Sequence, residues 1–258
     1  MAMKYPLPDP SPYDTDKGAH PHYLDNYARY VGRLRDRPVT LLELGVRRGG
    51  SLLMWRDYLP YGTIVGIDID SVRVDDPTGR VQIYQGEQQD TALLDRIAAE
   101  TAPDGFDCII DDASHLGQPT RISFWHLFVH HLKPGGVYFI EDWGCGYFES
   151  FMDGMSYRPQ PVGYSWYERT LNQLHASRVG QSGGLRRVIS ALRRRAIRKS
   201  FGSHHRGTVG VIKQLIDECG IEDITHPEWG IGNPRQSSID HMRITLGHAV
   251  IVKSRLGE

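Results

Sequence analysis

The polarity of the chain alternates between short apolar runs and longer amphipathic stretches. Thr40–Val46, Thr63–Asp68, Val81–Gly86, Cys108–Asp112 and Tyr138–Asp142 are apolar runs of strand length, the second, fourth and fifth closing on carboxylates. Helical spacing marks His22–Leu34, with Tyr23, Tyr27 and Tyr30 on one face, a pattern that helix packing alone explains. It also marks Ser51–Leu59, opened by Ser51 as a candidate N-cap and stopped by Pro60, and Asp90–Glu100, with Leu93, Leu94 and Ile97 inward. Gln118–Lys133 carries Ile122, Trp125, Phe128, Val129 and Leu132 on one stripe and stops at Lys133-Pro-Gly-Gly136. Thr208–Gly220 carries Val211, Ile212, Leu215, Ile216 and Cys219. Ser238–Thr245 and His248–Lys253 meet at Leu246-Gly247, a link so tight that it predicts an antiparallel pair.

Strand, helix, strand in succession implies parallel neighbours joined by crossovers. The expected fold is α/β: a seven-stranded, doubly wound sheet of five parallel strands and a closing hairpin, with an inserted helical lid. Residues 1–38 form an N-terminal arm and helix, 39–142 the core, 143–207 the lid, and 208–258 the helix and hairpin that complete the core. The lid is inferred because the alternation stops there, and a structureless loop of that length is uncommon in a compact domain.

Composition narrows the class. The chain has 258 residues, a net charge of -1, 40% hydrophobic and 24% charged residues. That balance is ordinary for a soluble globular protein and is not that of a polyanion binder, so nucleic acid is not an expected partner. No apolar run approaches a membrane span, and Met1–Pro12 lacks the apolar region of a signal peptide. Cys108, Cys145 and Cys219 are widely spaced and form no C-x-x-C pair, as expected of reduced thiols in a cytoplasmic protein. One stretch departs from the average. Leu185–Lys199 carries seven cations and no acid, an amphipathic basic helix that is either a solvated lid face or a contact for an anionic surface or acceptor.

The chemistry sits where apolar runs end. Gly45, Gly49 and Gly50 follow the first run and open a helix, so backbone N–H groups can approach a ligand closely. Asp68 closes the second run, where a carboxylate accepts bonds from a ribose. The spacing is G-x-x-x-G-G, not the G-x-G-x-x-G of dinucleotide enzymes, so a ribose is provided for and a pyrophosphate is not. S-adenosyl-L-methionine meets that description, and Glu43 suits its cationic methionyl end. Asp111, Asp112, Glu141 and Asp142 fall at carboxyl ends of adjoining strands and should converge on one crevice. Carboxylates so placed repel unless a cation lies between them, and an all-oxygen set favours Mg2+. Strand neighbours point to opposite faces, so Glu141 and Asp142 can share an ion only if the strand bends there. By the same rule Asp111 points away from Asp112, toward the cofactor or the backbone.

Thr15-Asp-Lys-Gly18 with His22-Tyr23, Leu42-Glu-Leu-Gly-Val46 with Gly49-Gly-Ser-Leu52, Gly66-Ile-Asp-Ile69, Ile110-Asp-Asp-Ala-Ser-His115, Leu132-Lys-Pro-Gly-Gly136, Ile140-Glu-Asp142 and Ser238-Ile239 together carry a resemblance. The chain resembles the metal-dependent sugar O-methyltransferases of antibiotic tailoring, the macrocin and mycinamicin O-methyltransferase type, which are related to cephalosporin-hydroxylase-like proteins. The resemblance implies Asp112, Glu141 and Asp142 as metal ligands and His115 as the general base. It places the cofactor against Lys17, Glu43, Gly45, Gly49, Ser51, Asp68, Gln88 and Asp111. Gly86-Glu-Gln-Gln-Asp90, Trp143-Gly144 and Asp240-His241 depart from the family pattern and bear on the substrate more than on the chemistry. The implied function is methyl transfer from S-adenosyl-L-methionine, with Mg2+, to a sugar hydroxyl of a glycosylated small molecule. The aromatic lid residues Trp143, Tyr147, Phe148, Tyr164, Trp166 and Tyr167 suit an apolar aglycone. A homodimer or higher homo-oligomer is expected from the same resemblance. The alternatives are a polysaccharide or catechol-like hydroxyl as acceptor, or a non-catalytic binding protein acting through its basic helix.

Overall fold

In the computed structural model, residues 6–7, 9–18, 21–155, 157, 166–177, 183–200 and 205–255 are described, with backbone alone at 166–168 and 193–200. The elements follow the expected alternation. Helix α1 (Pro21–Tyr30) and a single 3-10 turn (Gly32–Leu34) lead into β1 (Val39–Leu44), α2 (Gly50–Tyr58), β2 (Gly62–Asp68) and β3 (Val81–Gln85). Then come α3 (Thr91–Thr101), β4 (Phe106–Asp111), α4 (Gly117–His130) and β5 (Leu132–Ile140). A 3-10 turn (Trp143–Tyr147), α5 (Trp166–Ala176) and α6 (Gly183–Ser200) precede α7 (Gly207–Cys219), α8 (Ile221–Ile224), β6 (Ile239–Ile244) and β7 (Ala249–Lys253).

The sheet has seven strands in the order β3-β2-β1-β4-β5-β7-β6. Its first five strands are parallel, and β7 runs antiparallel to both β5 and β6. The order reverses direction between β1 and β4, the switch point at which open α/β sheets bind ligands. Side chains alternate across the sheet, so Leu41, Ile64, Ile110 and Phe139 pack with α1 and α2, while Leu42, Val65, Ile109 and Tyr138 pack with α3, α4 and α7. At the opposite edge the buried Asp107 accepts hydrogen bonds from Thr40 N, Arg37 and Lys133, pinning β1 to β4 and β5.

Three local expectations are corrected. Ser51 is not an N-cap: Gly49, left-handed at φ 81°, takes that position, and the Ser51 hydroxyl donates instead to Glu43. The stripe read on α4 is rotated. Its buried side chains are Thr120, Ser123, Phe124, Leu127 and Phe128, and Val129 is half exposed. The cause is that α4 is held on two sides, by the sheet and by α7, so its apolar residues do not form one stripe. On α7 the buried residues are Thr208, Val209, Gly210, Val211, Ile212 and Leu215, with Ile216 and Cys219 exposed.

Two compact units are found, Met1–Met155 with Arg206–Glu258, and Ser156–His205. Within the second, α5 and α6 pack on each other, with Leu171 and Ile189 buried. On α6, Leu185, Arg186, Arg187 and Val188 are exposed. Tyr164 and His204 lie outside the described residues, as do the side chains of Trp166 and Tyr167. Among the described residues no helix is long and apolar enough to cross a membrane.

Candidate functional site

The crevice opens at the carboxyl ends of β1, β2, β4 and β5. Gly45 ends β1 with φ 81°, and a Cβ there would lie 2.3 Å from the Asp112 carbonyl oxygen. Only glycine lets the β1 and β4 ends approach this closely. The following turn is held by Asp68, whose Oδ2 accepts from the N–H groups of Val46 and Arg47 at 2.8 Å each. Gly49, also at φ 81°, abuts Val74, so the chain between β2 and β3 lies against the turn. The Asp76 carboxylate, which accepts from Arg56, Thr78 and Val81 N, fixes that chain.

Three adjoining cavities lie along this edge. The first, about 310 Å³, is a largely apolar slot lined by Ile67, Ile69, Ala113, Leu116 and Pro119 among others, with Asp68, Glu87 and Gln88 as polar groups on its wall. The second, about 390 Å³, is polar and shares Gly45, Asp68 and Ala113 with the first; it reaches Lys17, Ser51, Asp112, His115 and Asp142. The third, about 380 Å³, shares Asp142 with the second and is walled by His22, Tyr23, Cys145, Phe148 and Leu246.

Behind the second cavity lies a buried charge cluster. The Lys17 ammonium, on the N-terminal arm, sits 2.9 Å from Glu43, 2.9 Å from Asp112 and 2.6 Å from Glu141. Burial alone would discharge this lysine, but the charges of Asp112, Glu141 and Glu43 outweigh that effect and hold it protonated. Burial drives the Glu43 carboxyl upward, with Lys17 and Ser51 partly offsetting it. Glu141 resists the same burial because Lys17 and His248 face it, and it stays ionised well into acid. Its carboxylate also accepts from the Tyr27 hydroxyl. Asp112 is driven well above the carboxylate range, by burial and then by the charge of Glu141. Three carboxyl groups thus face a single ammonium.

On the solvent side the geometry changes. The strand bends after Ile140: Asp142 is left-handed at φ 49°, which turns its carboxylate away from Glu141 and into the crevice. The Tyr23 hydroxyl donates to it at 2.5 Å, and the Tyr23 ring stacks on His248 at 3.8 Å between centroids. His115, left-handed at φ 54°, places Nε2 at 3.9 Å from Asp112 Oδ1 and 4.0 Å from Asp142 Oδ2. Among the described residues, the three non-glycine residues with positive φ, Arg47, His115 and Asp142, all line the second cavity. Such conformations are uncommon and cluster at functional sites. Asp112, His115 and Asp142 offer ligand atoms within 4.8 Å of one another, and so do Glu43, Asp112 and Glu141, with Asp112 common to both groups. The donors are carboxylate oxygens with one imidazole, and the charge is in excess, so the residues fit a hard divalent cation.

The expected site residues thus divide. Gly45, Asp68 and Gln88 line the apolar slot, and Gly45, Ser51, Asp68, Lys17, Asp112, His115 and Asp142 line the polar cavity. Asp111 is buried, and accepts from Gln88 and Ser123 instead of facing a cavity. Burial raises its carboxyl to about 6 against those donors. Gln88 in turn accepts from Ser114 N, so this pair fixes the backbone between Asp112 and His115. Glu43 lies beneath the cavity floor, held by Ser51 and Lys17, and Gly49 serves the turn. Tyr23, Tyr27 and His248 were not read as site residues. The tyrosine face of α1 was visible in the sequence, but its carboxylate partners were not.

This fold is that of the class I methyltransferases, and the comparisons with known proteins agree. No protein-family model matches the chain. The chain is related to sugar O-methyltransferases of macrolide and polyketide pathways. Mycinamicin VI 2''-O-methyltransferase of Micromonospora griseorubida is 41% identical over 150 residues, 55% of this chain and 36% of that protein. L-olivosyl-oleandolide 3-O-methyltransferase of Streptomyces antibioticus is 32% identical over 227 residues, 75% of this chain and 55% of its own length. The crystal structure of MycE methyltransferase from the mycinamycin biosynthetic pathway, in complex with Mg and SAH, superposes with a TM-score of 0.68 at 28% identity. The match covers 98% of this chain and 56% of that one. The chain therefore spans about half, or less, of the length of these three relatives.

Proposed function

We propose that this chain transfers a methyl group from S-adenosyl-L-methionine to a sugar hydroxyl of a glycosylated small molecule, with Mg2+ bound at the crevice carboxylates. The observation that carries the reading is the convergence of Asp112, His115 and Asp142 at a cavity continuous with the glycine-turn slot. The donor's adenosine fits the apolar slot, with Asp68 at the ribose. Its sulfonium would lie in the polar cavity, whose excess of carboxylates favours a cation.

Asp112 and Asp142 would hold the metal, with Glu141 as the third carboxylate, now engaged by Lys17. When bound, the ion would bring the acceptor oxygen into place and make its hydroxyl more acidic. His115 stands between the two aspartates, in position to take the hydroxyl proton as the oxygen attacks the methyl carbon. Asp142 borders both the polar cavity and the third cavity, so the acceptor enters from the side of Tyr23 and Phe148. That wall is largely apolar, as an aglycone requires. Orientation of donor and acceptor supplies much of the rate.

The relatives named above, and a MycE complex containing mycinamycin VI, support a glycosylated macrolide or polyketide as the acceptor class. A cytoplasmic location and self-association are part of the same reading. The test is a panel of glycosylated acceptors, their aglycones, catechols and polysaccharides, each offered with labelled methyl donor. Label is expected on glycosides and not on the matching aglycones. Label on catechols or polysaccharides alone would replace the acceptor class.

A further inference from the structure

At the opposite edge of the sheet from the crevice, α3 and α4 present a second group of ligating side chains. Asp95 lies in the second turn of α3, and His126 and His130 lie one turn apart near the end of α4, which His131 terminates. The Nε2 atoms of His126 and His131 are 2.7 Å and 2.6 Å from the same oxygen, Asp95 Oδ1. The His130 ring is 5.4 Å from that of His126 and 6.2 Å from that of His131. The methyl-transfer reading uses none of these residues.

We infer that Asp95, His126 and His131 form a binding site for a borderline transition-metal ion such as Zn2+, with His130 close enough to complete it. An imidazole nitrogen that aims an N–H at an oxygen aims its lone pair along the same line when neutral, so both rings point at one locus. Two imidazoles and a carboxylate are a donor set for Zn2+, Co2+ or Ni2+, whereas Mg2+ prefers oxygen alone. Ligand bonds of about 2.0–2.2 Å set donors roughly 3.3 Å apart around an ion. Asp95 would therefore withdraw by less than about 1 Å. It can do so, since its side chain is 55% exposed, while those of His126 and His131 are only 19% and 20% exposed and held by the helix end. The remaining coordination positions face water or His130, which is exposed.

A metal here would clamp α3 to the end of α4. It would also secure the start of β4, because the His131 carbonyl accepts from Phe106 N at 2.6 Å. The site lies far from the proposed chemistry, so its role is stabilising.

The experiment uses the full chain without an affinity tag, stripped by chelator and saturated with Mg2+ to fill the crevice carboxylates. Co2+ serves as the spectroscopic probe. The expected result is a visible d–d band that saturates near one equivalent, is displaced by Zn2+, and accompanies a Zn2+-dependent rise in melting temperature. In the double variant His126→Gln/His131→Gln the Co2+ affinity should fall by at least roughly tenfold, and the melting temperature should no longer respond to Zn2+. Asp95→Asn, which keeps a carbonyl oxygen in place, serves as a second variant and should weaken binding in the same direction. Absence of the band in the parent chain, or an unchanged band in both variants, would overturn the inference.

Discussion

Lys17 Nζ and Glu141 Oε1 lie 2.6 Å apart although they are separated by 124 positions in the chain, and both side chains are almost wholly buried. This ion pair ties the N-terminal arm to the end of β5 and sets the charge behind the crevice. A buried ammonium facing Glu43, Asp112 and Glu141 cannot be removed without stranding them. Lys17→Met is expected to cost about 3–5 kcal/mol in urea unfolding. Adding Glu43→Gln should recover part of the loss, because one of the stranded charges is then gone. Strict additivity of the two changes would mean that the cluster is not coupled as described.

His115 is held left-handed between two carboxylates and touches none of the residues lining the apolar slot by hydrogen bond. His115→Ala should lower turnover by about 10²–10⁴-fold. Binding of S-adenosylmethionine, measured by calorimetry, should stay within a few-fold of the parent. Comparable losses in both quantities would make His115 a donor-binding residue instead.

Gly45 carries a prediction about space. A methyl group at this position meets the Asp112 carbonyl and the Ala113 Cα at 2.3 Å and 2.5 Å, at a backbone φ of 81° that alanine rarely adopts. Gly45→Ala should destabilise the chain by about 1–3 kcal/mol and weaken donor binding. Unaltered affinity in a folded variant would place the donor elsewhere.

Much of this was legible in the sequence, and what was not has a physical reason. The buried strands β1, β2 and β4 read as continuous apolar runs because helices cover both their faces, and a short run needs no partner to be recognised. The glycine turn and Asp68 were legible for the same local reason. The stripe on α4 was misread because a helix packed on two sides loses the single-face period, and the role of Ser51 was misread because Gly49 already supplied the cap. The links from Lys17, Tyr23 and Tyr27 to Asp112, Glu141 and Asp142 cross roughly 100 positions each, and no local pattern reports such contacts. The bend at Asp142, needed for its carboxylate to leave the face of Glu141, follows from a backbone conformation that its residue type does not announce.

Asp76 gives a pH test outside the buried charge cluster. Burial alone would raise its carboxyl, but bonds from Thr78, Val81 N and Arg56 outweigh burial and hold it far below the usual carboxylate range. A depressed folded value means that ionisation stabilises the native state. The contribution is complete above the unfolded value of about 3.9 and is lost as pH falls toward the folded one. The stability gap between the parent chain and Asp76→Asn should be about 1–3 kcal/mol near neutrality and shrink steadily below about pH 4. A gap that is constant with pH would show that the lost bonds do not depend on the charge.

The most direct test of the central claim is the initial rate of labelled methyl transfer to a glycosylated acceptor, measured after chelator treatment and again after Mg2+ is restored. The parent chain should lose transfer with the chelator and regain it with Mg2+, while Asp142→Asn should need far more Mg2+ for the same rate. Transfer that persists in chelator, or an Asp142→Asn variant with an unchanged Mg2+ requirement, would contradict a crevice in which donor, acceptor and a carboxylate-bound cation meet.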